Sequence, residues 1–401
     1  MKYFSIKNLI SDKISGEWGA DPTSDKRVRI IRTTNFTNRG EINFANIVER
    51  EIADSKVNRK KLKNGDIIIE KSGGSPTQPV GRVVFFEVND GHTYLCNNFT
   101  SILRPSEKVS PKYLFYSLFF LHQKNKTLNY QNKTTGIINL QLDRYLETEE
   151  IPLPSLEDQK RIVKILDAAD ALRQKRKQAI TLLDDYLKSV FLEMFGDPIK
   201  NPKSWNVSNL QDLASKIGSG STPKGGKTAY PSGGISLIRS LNVHDNEFLY
   251  ENLAFLNEKQ AKDLSNVAVQ KNDVLLNITG ASVCRCTIVP NNVLPARVNQ
   301  HVSIIRIKEQ LQPIYLLHLL ISESYKRKIL SDARSGGATR EALTKQQLEK
   351  FKVTCPPLEM QNRFAEIVEK TEFIKQKMLI QSQELETQFQ ALMKKAFKGE
   401  L

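Results

Sequence analysis

"LPSLEDQKRI" (Leu153–Ile162) and "PPLEMQNRF" (Pro356–Phe364) are one phrase written twice. With Gln159 laid on Gln361, a shift of 361 − 159 = 202 residues, Pro154, Leu156, Glu157 and Arg161 fall on Pro356, Leu358, Glu359 and Arg363. The shift is about half of a 401-residue chain. Working outward, "SILR" (Ser101–Arg104) returns as "SIIR" (Ser303–Arg306), and Pro111 and Tyr113 fall on Pro313 and Tyr315, all at the same shift. Further upstream "IIRTTN" (Ile30–Asn35) matches "LIRSLN" (Leu237–Asn242), and "GDIII" (Gly65–Ile69) matches "NDVLL" (Asn272–Leu276), now at a shift of 207. Between the blocks "GGSPTQPVGR" stands against "TGASVCR", so a small insertion in the first copy accounts for the change of register. Self-similarity on this scale means a duplicated module.

Each copy has two parts. In 1–150 and 201–355, β-branched runs such as "RVRIIRT", "DIIIE", "GRVVFFEV" and "HVSIIRI" are separated by Gly, Asn and Pro clusters, which reads as strands and loops. A helix is expected to start at Pro111 and again at Pro313, where proline suits the first turn. The second parts, 151–200 and 356–401, are different. From Glu157 to Phe195 there is no proline or glycine, and Ile162, Leu166, Ala169, Leu172, Ile180, Leu183, Leu187, Val190 and Met194 recur at three- and four-residue steps. Phe364, Ile367, Ile374, Met378, Leu385, Phe389 and Leu392 do the same in the second copy. Such spacing is the signature of helices that pair, each about 58 Å long at 1.5 Å per residue. The expected class is therefore α+β: two similar mixed domains separated by two long helices that form an antiparallel coiled coil, with a pseudo-twofold internal repeat.

The chain carries 59 Lys and Arg against 44 Asp and Glu, a net charge of +15. This points to a polyanionic partner, nucleic acid before an anionic membrane surface. The apolar runs Tyr113–Leu121 and Ile314–Ile321 are too short to span a bilayer. Four irregularly spaced cysteines, Cys96, Cys284, Cys286 and Cys355, suggest a reducing cytoplasm. Cys284 and Cys286 have no second Cys/His pair at finger spacing, so no metal is expected.

Catalytic motifs are missing from the expected places. "GSGSTPKGGKT" (Gly218–Thr228) resembles a phosphate-binding loop, but Ser221 stands where the first glycine must be, and "AYPSGG" follows where a helix must start. The Pro356-Pro357 pair sits between Cys355 and Leu358, without the Asn or Asp and the aromatic residue of an adenine methyltransferase motif. There is no Gly-x-Gly-x-x-Gly loop and no Glu-x-Lys run, and the five histidines pair with no nucleophile motif. A non-catalytic chain is expected.

Two globular regions, each followed by a long helix opened by Pro-x-Leu-Glu-x-Gln and closed by "FGDP" or "AFKGEL", resemble the specificity subunit of type I restriction–modification systems. "GSGSTP", "TGAS" and "LMKKAFKGEL" are similar to recurrent phrases of that family, and the likeness spans the whole chain. The first copy departs from it in "SGEWGADPTSD", which lacks a Gly-x-Thr-Pro run. The resemblance implies a DNA reader with two target-recognition domains, one for each half of a split duplex site, held apart by the helices. It also implies methyltransferase (M) subunits that use S-adenosylmethionine for adenine methylation, and restriction (R) subunits that use ATP and Mg, with no cofactor on this chain. The alternative is a duplicated coiled-coil adaptor that joins proteins and does not bind DNA.

For the DNA contacts, loop residues of the types that reach base edges and phosphates are the candidates. In the first copy these are Arg32, Thr34, Asn35, Lys71, Ser72, Gly73, Gly74, Gln78, Lys133 and Thr134. In the second they are Lys224, Lys227, Arg239, Ser240, Asn242, Thr279, Ser282 and Arg285, with Arg334 and Arg340 around the glycine pair of "RSGGATR". Glu157, Gln159, Glu359 and Gln361 open the long helices, where a carboxylate also favours the helix dipole; they are the candidate contacts to the methyltransferase partner.

Overall fold

In the computed structural model the described residues are 2–23, 27–75, 78–134, 137–223, 230–334 and 342–401, with Lys133 and Thr134 described by their backbone alone. The chain divides into two compact units, residues 1–177 with 381–401 and residues 178–380. Each long helix therefore contributes one part to each unit.

In unit 1 a four-stranded antiparallel sheet runs in the order Ile10–Ser15, Thr100–Pro105, Ile67–Glu70, Val83–Phe85. A second sheet orders Val48–Arg50, Val28–Ile31 and Tyr94–Cys96, the last two parallel. The central run Ile67-Ile68-Ile69 shows why this strand has no polar alternation. Side chains alternate across a strand; Ile67 and Ile69 enter one core with Leu103, Tyr113 and Leu166, while Ile68 enters another with Ile31, Val84 and Ile102. Both faces are covered, so the run is continuously apolar. The helix Pro111–Gln123 lies against the first face, and Tyr113 and Leu114 are fully buried there.

Unit 2 repeats this plan. Ala214–Ser219, Val302–Ile307, Val274–Asn277 and Cys286–Ile288 form the four-stranded sheet. Ala254–Leu256, Ile235–Ile238, Ala296–Val298 and Ala268–Val269 form the second. Val274 and Leu276 face one core and Leu275 the other. The strand pairing reproduces the two shifts of the repeat: Ile69 faces Ser101 as Leu276 faces Ser303. The added residues of the first copy lie in the hairpin that leads from Glu70 to Arg82, which is longer than the one from Asn277 to Arg285. Unit 1 places Gln131–Thr134 and Ile137–Leu140 in a three-stranded sheet with Ser72–Gly73. In unit 2 the Leu343 N–H meets the Ile278 carbonyl as the Leu140 N–H meets that of Lys71. A helix, Glu323–Arg334, stands where unit 1 has the turn Lys126–Tyr130.

The long helices are Leu156–Phe195 and Leu358–Ala396, 40 and 39 residues, so each is about 60 Å long. In unit 2 Phe191 meets Phe364 at 5.5 Å and Asp184 meets Lys375 at 2.5 Å, so they run antiparallel. In unit 1 Ile162, Leu166, Phe389 and Met393 enter the same core. The pairing differs from a continuous apolar seam. No residue between Arg173 and Leu187, or between Thr371 and Phe389, is buried, and Leu172 and Ile374 of the expected stripe are exposed. The apolar contact is concentrated where each helix end meets a globular core, and ion pairs fill the middle. Arg173 is the exception in kind: it is buried, bonded to Asp170 and Glu386, and its guanidinium lies 4.0 Å from the Phe389 ring centre.

Candidate nucleic-acid interface

The first candidate loop follows the strand Val28–Ile31. Asn35 ends a single 3-10 turn, Thr33–Asn35, and is buried. Its Oδ1 accepts the Arg32 N–H (3.0 Å) and its Nδ2 donates to the carbonyls of Asn43 (3.1 Å) and Ala45 (3.4 Å). Arg32 Nη2 donates to the Asn46 carbonyl (2.8 Å), and Asn46 has a left-handed backbone at φ 60°. Unit 2 builds the same knot: Asn242 Oδ1 accepts the Arg239 N–H (3.1 Å), its Nδ2 donates to Leu249 and Glu251, and Arg239 reaches the carbonyl of left-handed Asn252. Asn35 and Asn242 therefore correct the expectation that they read bases, because their amide donors are spent inside the loop. Thr34 is exposed and Ser240 half-buried; Arg32 and Arg239 are half-buried, each with a buried Nε that has no partner.

The second candidate loop is the hairpin after Glu70. Lys71 is half-buried and its Nζ donates to Ser15 Oγ (2.6 Å). Burial pulls its ammonium below the ordinary lysine range, and the charges of Lys60 and Lys13 add to the effect. Lys60 is paired with Glu17 and Lys13 with Asp143, whereas Lys71 forms no ion pair among the described residues. Ser72 Oγ bonds Asn139 Oδ1 (2.6 Å), and Gln78 Nε2 donates to Asn38 Oδ1 (3.1 Å). Gly73 and Gly74 have φ of 120° and 68°, and a Cβ on Gly74 would stand 2.8 Å from the Gln78 carbonyl oxygen, so both positions require glycine. Gly73 pairs with Ile138, which pairs with Lys133. The fold thus brings Ser72, Gly73, Lys133 and Thr134 into one small sheet.

In unit 2 Thr279 Oγ1 lies 2.5 Å from His301 Nδ1, and Thr279 bridges Ala342. Ser282 is half-buried, and the Arg285 Nη1–H points at His244 Nε2 (3.3 Å). Arg334 is exposed at the end of its helix. Lys224, Lys227 and Arg340 lie outside the described residues.

Two further features were not singled out by the sequence. Gly16 and Gly220 are approached so closely by the next sheet that a Cβ would stand 1.9 Å from the Asn97 oxygen and 1.8 Å from the Val298 oxygen. They are equivalent, so the departing "SGEWGADPTSD" still supplies the glycine that the second copy shows in "GSGSTP". Asp66 holds Arg104 with two hydrogen bonds (2.9 and 2.8 Å), and Asp273 holds Arg306 the same way (2.8 and 2.7 Å). Alignment of "SILR" with "SIIR" and of "GDIII" with "NDVLL" was the signal for this pair.

The repeated phrase has a structural role at the junction. Gln159 is buried; its Oε1 accepts the Ser110 N–H (2.8 Å) and its Nε2 donates to the Pro154 carbonyl (2.9 Å). Gln361 accepts the Gln312 N–H (2.8 Å) and donates to the Pro356 carbonyl (2.8 Å). Tyr113 and Tyr315 close the same corner on Pro152 and Thr354. The glutamines latch each long helix to the helix that starts at Pro111 or Pro313, which corrects their assignment to a partner surface. Glu157 and Glu359 are exposed. Among the described residues no group of three metal-ligating side chains occurs, and Cys286 is buried, which pushes its thiol well above the ordinary range. No described helix is long and apolar enough to cross a membrane.

The family model described as the type I restriction modification DNA specificity domain matches twice, at residues 23–182 and 202–386. A putative type I restriction enzyme MjaX specificity subunit of Methanocaldococcus jannaschii is 26% identical over 336 residues, 79% of this chain and 73% of its own. The MjaIX specificity subunit of the same organism is 24% identical over 384 residues, 90% of this chain and 82% of its own. Among solved structures, a chain from a study of complex assembly and conformational transition of the type I R-M system is similar with a TM-score of 0.61 at 19% identity, covering 100% of this chain and 98% of that one. The S subunit of a type I restriction-modification system from M. genitalium gives 0.53 at 14% identity, with 99% and 96% covered.

Proposed function

The chain belongs to the family of type I restriction–modification DNA specificity subunits, and from that premise we propose how it divides the work of recognition. Its role is to recognise DNA, and chemistry belongs to other subunits. Each unit reads one half of a bipartite duplex site, and the long helices that run through both units set the distance between the halves. The observation that carries this reading is the duplication of a rigid frame around loops that differ. The Arg32/Asn35 and Arg239/Asn242 knots, the Asp66–Arg104 and Asp273–Arg306 pairs and the Gln159 and Gln361 latches repeat. The hairpins after Glu70 and Asn277 do not. Thr34, Lys71, Ser72, Lys133, Thr134, Ser240, Thr279, Ser282, Arg285 and Arg334 are the contacts we assign to DNA, together with Lys224, Lys227 and Arg340. M subunits supply S-adenosylmethionine-dependent adenine methylation and R subunits ATP- and Mg-dependent cleavage. Glu157 and Glu359, exposed at the two helix starts, are the positions we assign to the M subunits.

Salt dependence tests the DNA reading. Each phosphate neutralised by Lys or Arg releases a counterion, giving a log–log slope of about −0.9 per contact. Fluorescence anisotropy on duplex DNA, with M subunits supplied, is expected to show a slope of several units. A slope near zero would remove the proposal.

A further inference from the structure

Glu70 and Asn277 occupy the same place. Each starts the hairpin of its unit, and each N–H donates to the carbonyl of the arginine at the far end: Glu70 to Arg82 (2.9 Å) and Asn277 to Arg285 (2.8 Å). In unit 1 the carboxylate of Glu70, itself buried, holds Arg82 through two hydrogen bonds, both 2.9 Å. The same guanidinium donates to the carbonyls of Thr33 (3.1 Å) and Phe36 (3.3 Å), closing the 3-10 turn against the sheet. Four of the five N–H donors of Arg82 are thereby engaged.

Unit 2 reaches the same end with a different side chain. The carbonyls of Ser240 and Val243, which correspond to those of Thr33 and Phe36, are met by Asn277 Nδ2 at 2.9 and 3.2 Å. The amide of Asn277 thus does what the guanidinium of Arg82 does in unit 1, and the buried Asn277 Oδ1 has no partner. Arg285 is released. It forms no ion pair among the described residues, and its guanidinium makes one hydrogen bond among them, at 3.3 Å, to an imidazole nitrogen, which does not cancel its charge as a carboxylate would. A half-buried arginine that is held through one of its N–H groups, its other guanidinium donors having no partner among the described residues, presents the fork that fits the O6 and N7 acceptors of guanine.

We propose that Arg285 reads a guanine in the half-site of unit 2, and that the exchange of Glu70 for Asn277 is what makes the two units read with different side chains. The inference rests on the DNA-reading role given above. In unit 1 the equivalent arginine is locked into the frame, and the half-buried Lys71, which forms no ion pair among the described residues, stands where unit 2 has the buried apolar Ile278.

The test is selection and sequencing of bound duplexes from a random library, using the full chain with M subunits supplied. The wild type is expected to enrich a split site with a guanine preference in one half. Arg285→Ala should lower that preference at least tenfold and leave the other half-site unchanged. Asn277→Glu should do the same by recapturing Arg285 as Glu70 captures Arg82, while Asn277→Gln, which adds no charge, should keep the guanine. The reciprocal change, Glu70→Asn, should alter only the other half-site, by releasing Arg82. If Arg285→Ala kept every base preference, or weakened all positions uniformly as loss of a phosphate contact does, the inference would be overturned while DNA reading stood. If the wild type enriched no sequence, the reading itself would fall and take the inference with it.

Discussion

Tyr113, Gln159, Asp66 and Arg104 in unit 1 and Tyr315, Gln361, Asp273 and Arg306 in unit 2 join the same atoms at matching distances. A few residues away, in the hairpins after Glu70 and Asn277, the two units differ in length and in several side chains. The hairpin after Glu70 is glycine-rich and joins a three-stranded sheet, and the one after Asn277 is short and carries a released arginine. The difference teaches where a duplicated reader can vary. Buried polar pairs are costly to change one partner at a time, because the group left behind is desolvated without compensation. Loop side chains that face solvent carry no such penalty. The Glu70/Arg82 and Asn277/Arg285 exchange is informative because it crosses this boundary: the frame carbonyls stay satisfied, and the arginine passes from frame to surface.

The comparison can be broken most directly at the buried ion pairs. Asp66→Ala and Asp273→Ala each remove the buried carboxylate that holds a half-buried arginine, and should destabilise their own unit by about 3 kcal/mol, the low end for a broken buried pair. Hydrogen exchange resolved by unit would measure both. Similar costs support an equivalent frame, and a large cost in one unit with none in the other would contradict it. Gln159→Ala and Gln361→Ala remove a buried latch that serves one donor and one acceptor, so a smaller and again matched loss of about 1–3 kcal/mol is expected. The smallest effect sharpens the comparison at the helix pair. Burial works to raise the Glu386 carboxyl, but hydrogen bonds from Arg173 and Gln390 outweigh it and hold the group below the ordinary range. Its folded value is thus lower than its unfolded one, so its contribution is present above the usual glutamate value near ~4.3 and fades as pH falls through the folded value. Glu386→Gln should cost within about 1 kcal/mol at neutral pH and flatten that acid-side loss in unit 1, as followed by chemical denaturation across pH.

The duplicated plan was legible in the sequence because the frame is local in pattern. Pro111, Tyr113, "SILR" and "GDIII" each sit at fixed spacing within an element, and a buried two-faced strand such as Ile67–Glu70 announces itself by composition. What the polar residues do was much less legible. Gln159, Gln361, Asn35 and Asn242 read as surface groups, since a carboxamide that ties backbone to backbone looks on paper like one that waits for a ligand. Arg82 escaped notice for the converse reason: its partner Glu70 lies across a hairpin whose register the sequence does not state. The helix Glu323–Arg334 falls on the turn Lys126–Tyr130 of the first copy, so the repeat did not predict it. The seam of the long helices was overestimated, because heptad-like spacing counts Leu172 and Ile374 equally with Leu166 and Phe364, and only packing separates them.

The central claim is that one frame holds two separable readers, and exchange of one reader tests it most directly. Residues 27–150 would be replaced by the matching region of a relative, which keeps the Gln159 latch and both long helices. With M and R subunits supplied, the methylated adenines of the host DNA would then be mapped by sequencing. The account expects one half-site to change while the other half-site and the gap between them stay as in the wild type. A chimera that folds and methylates, but alters both half-sites or the gap, would contradict it.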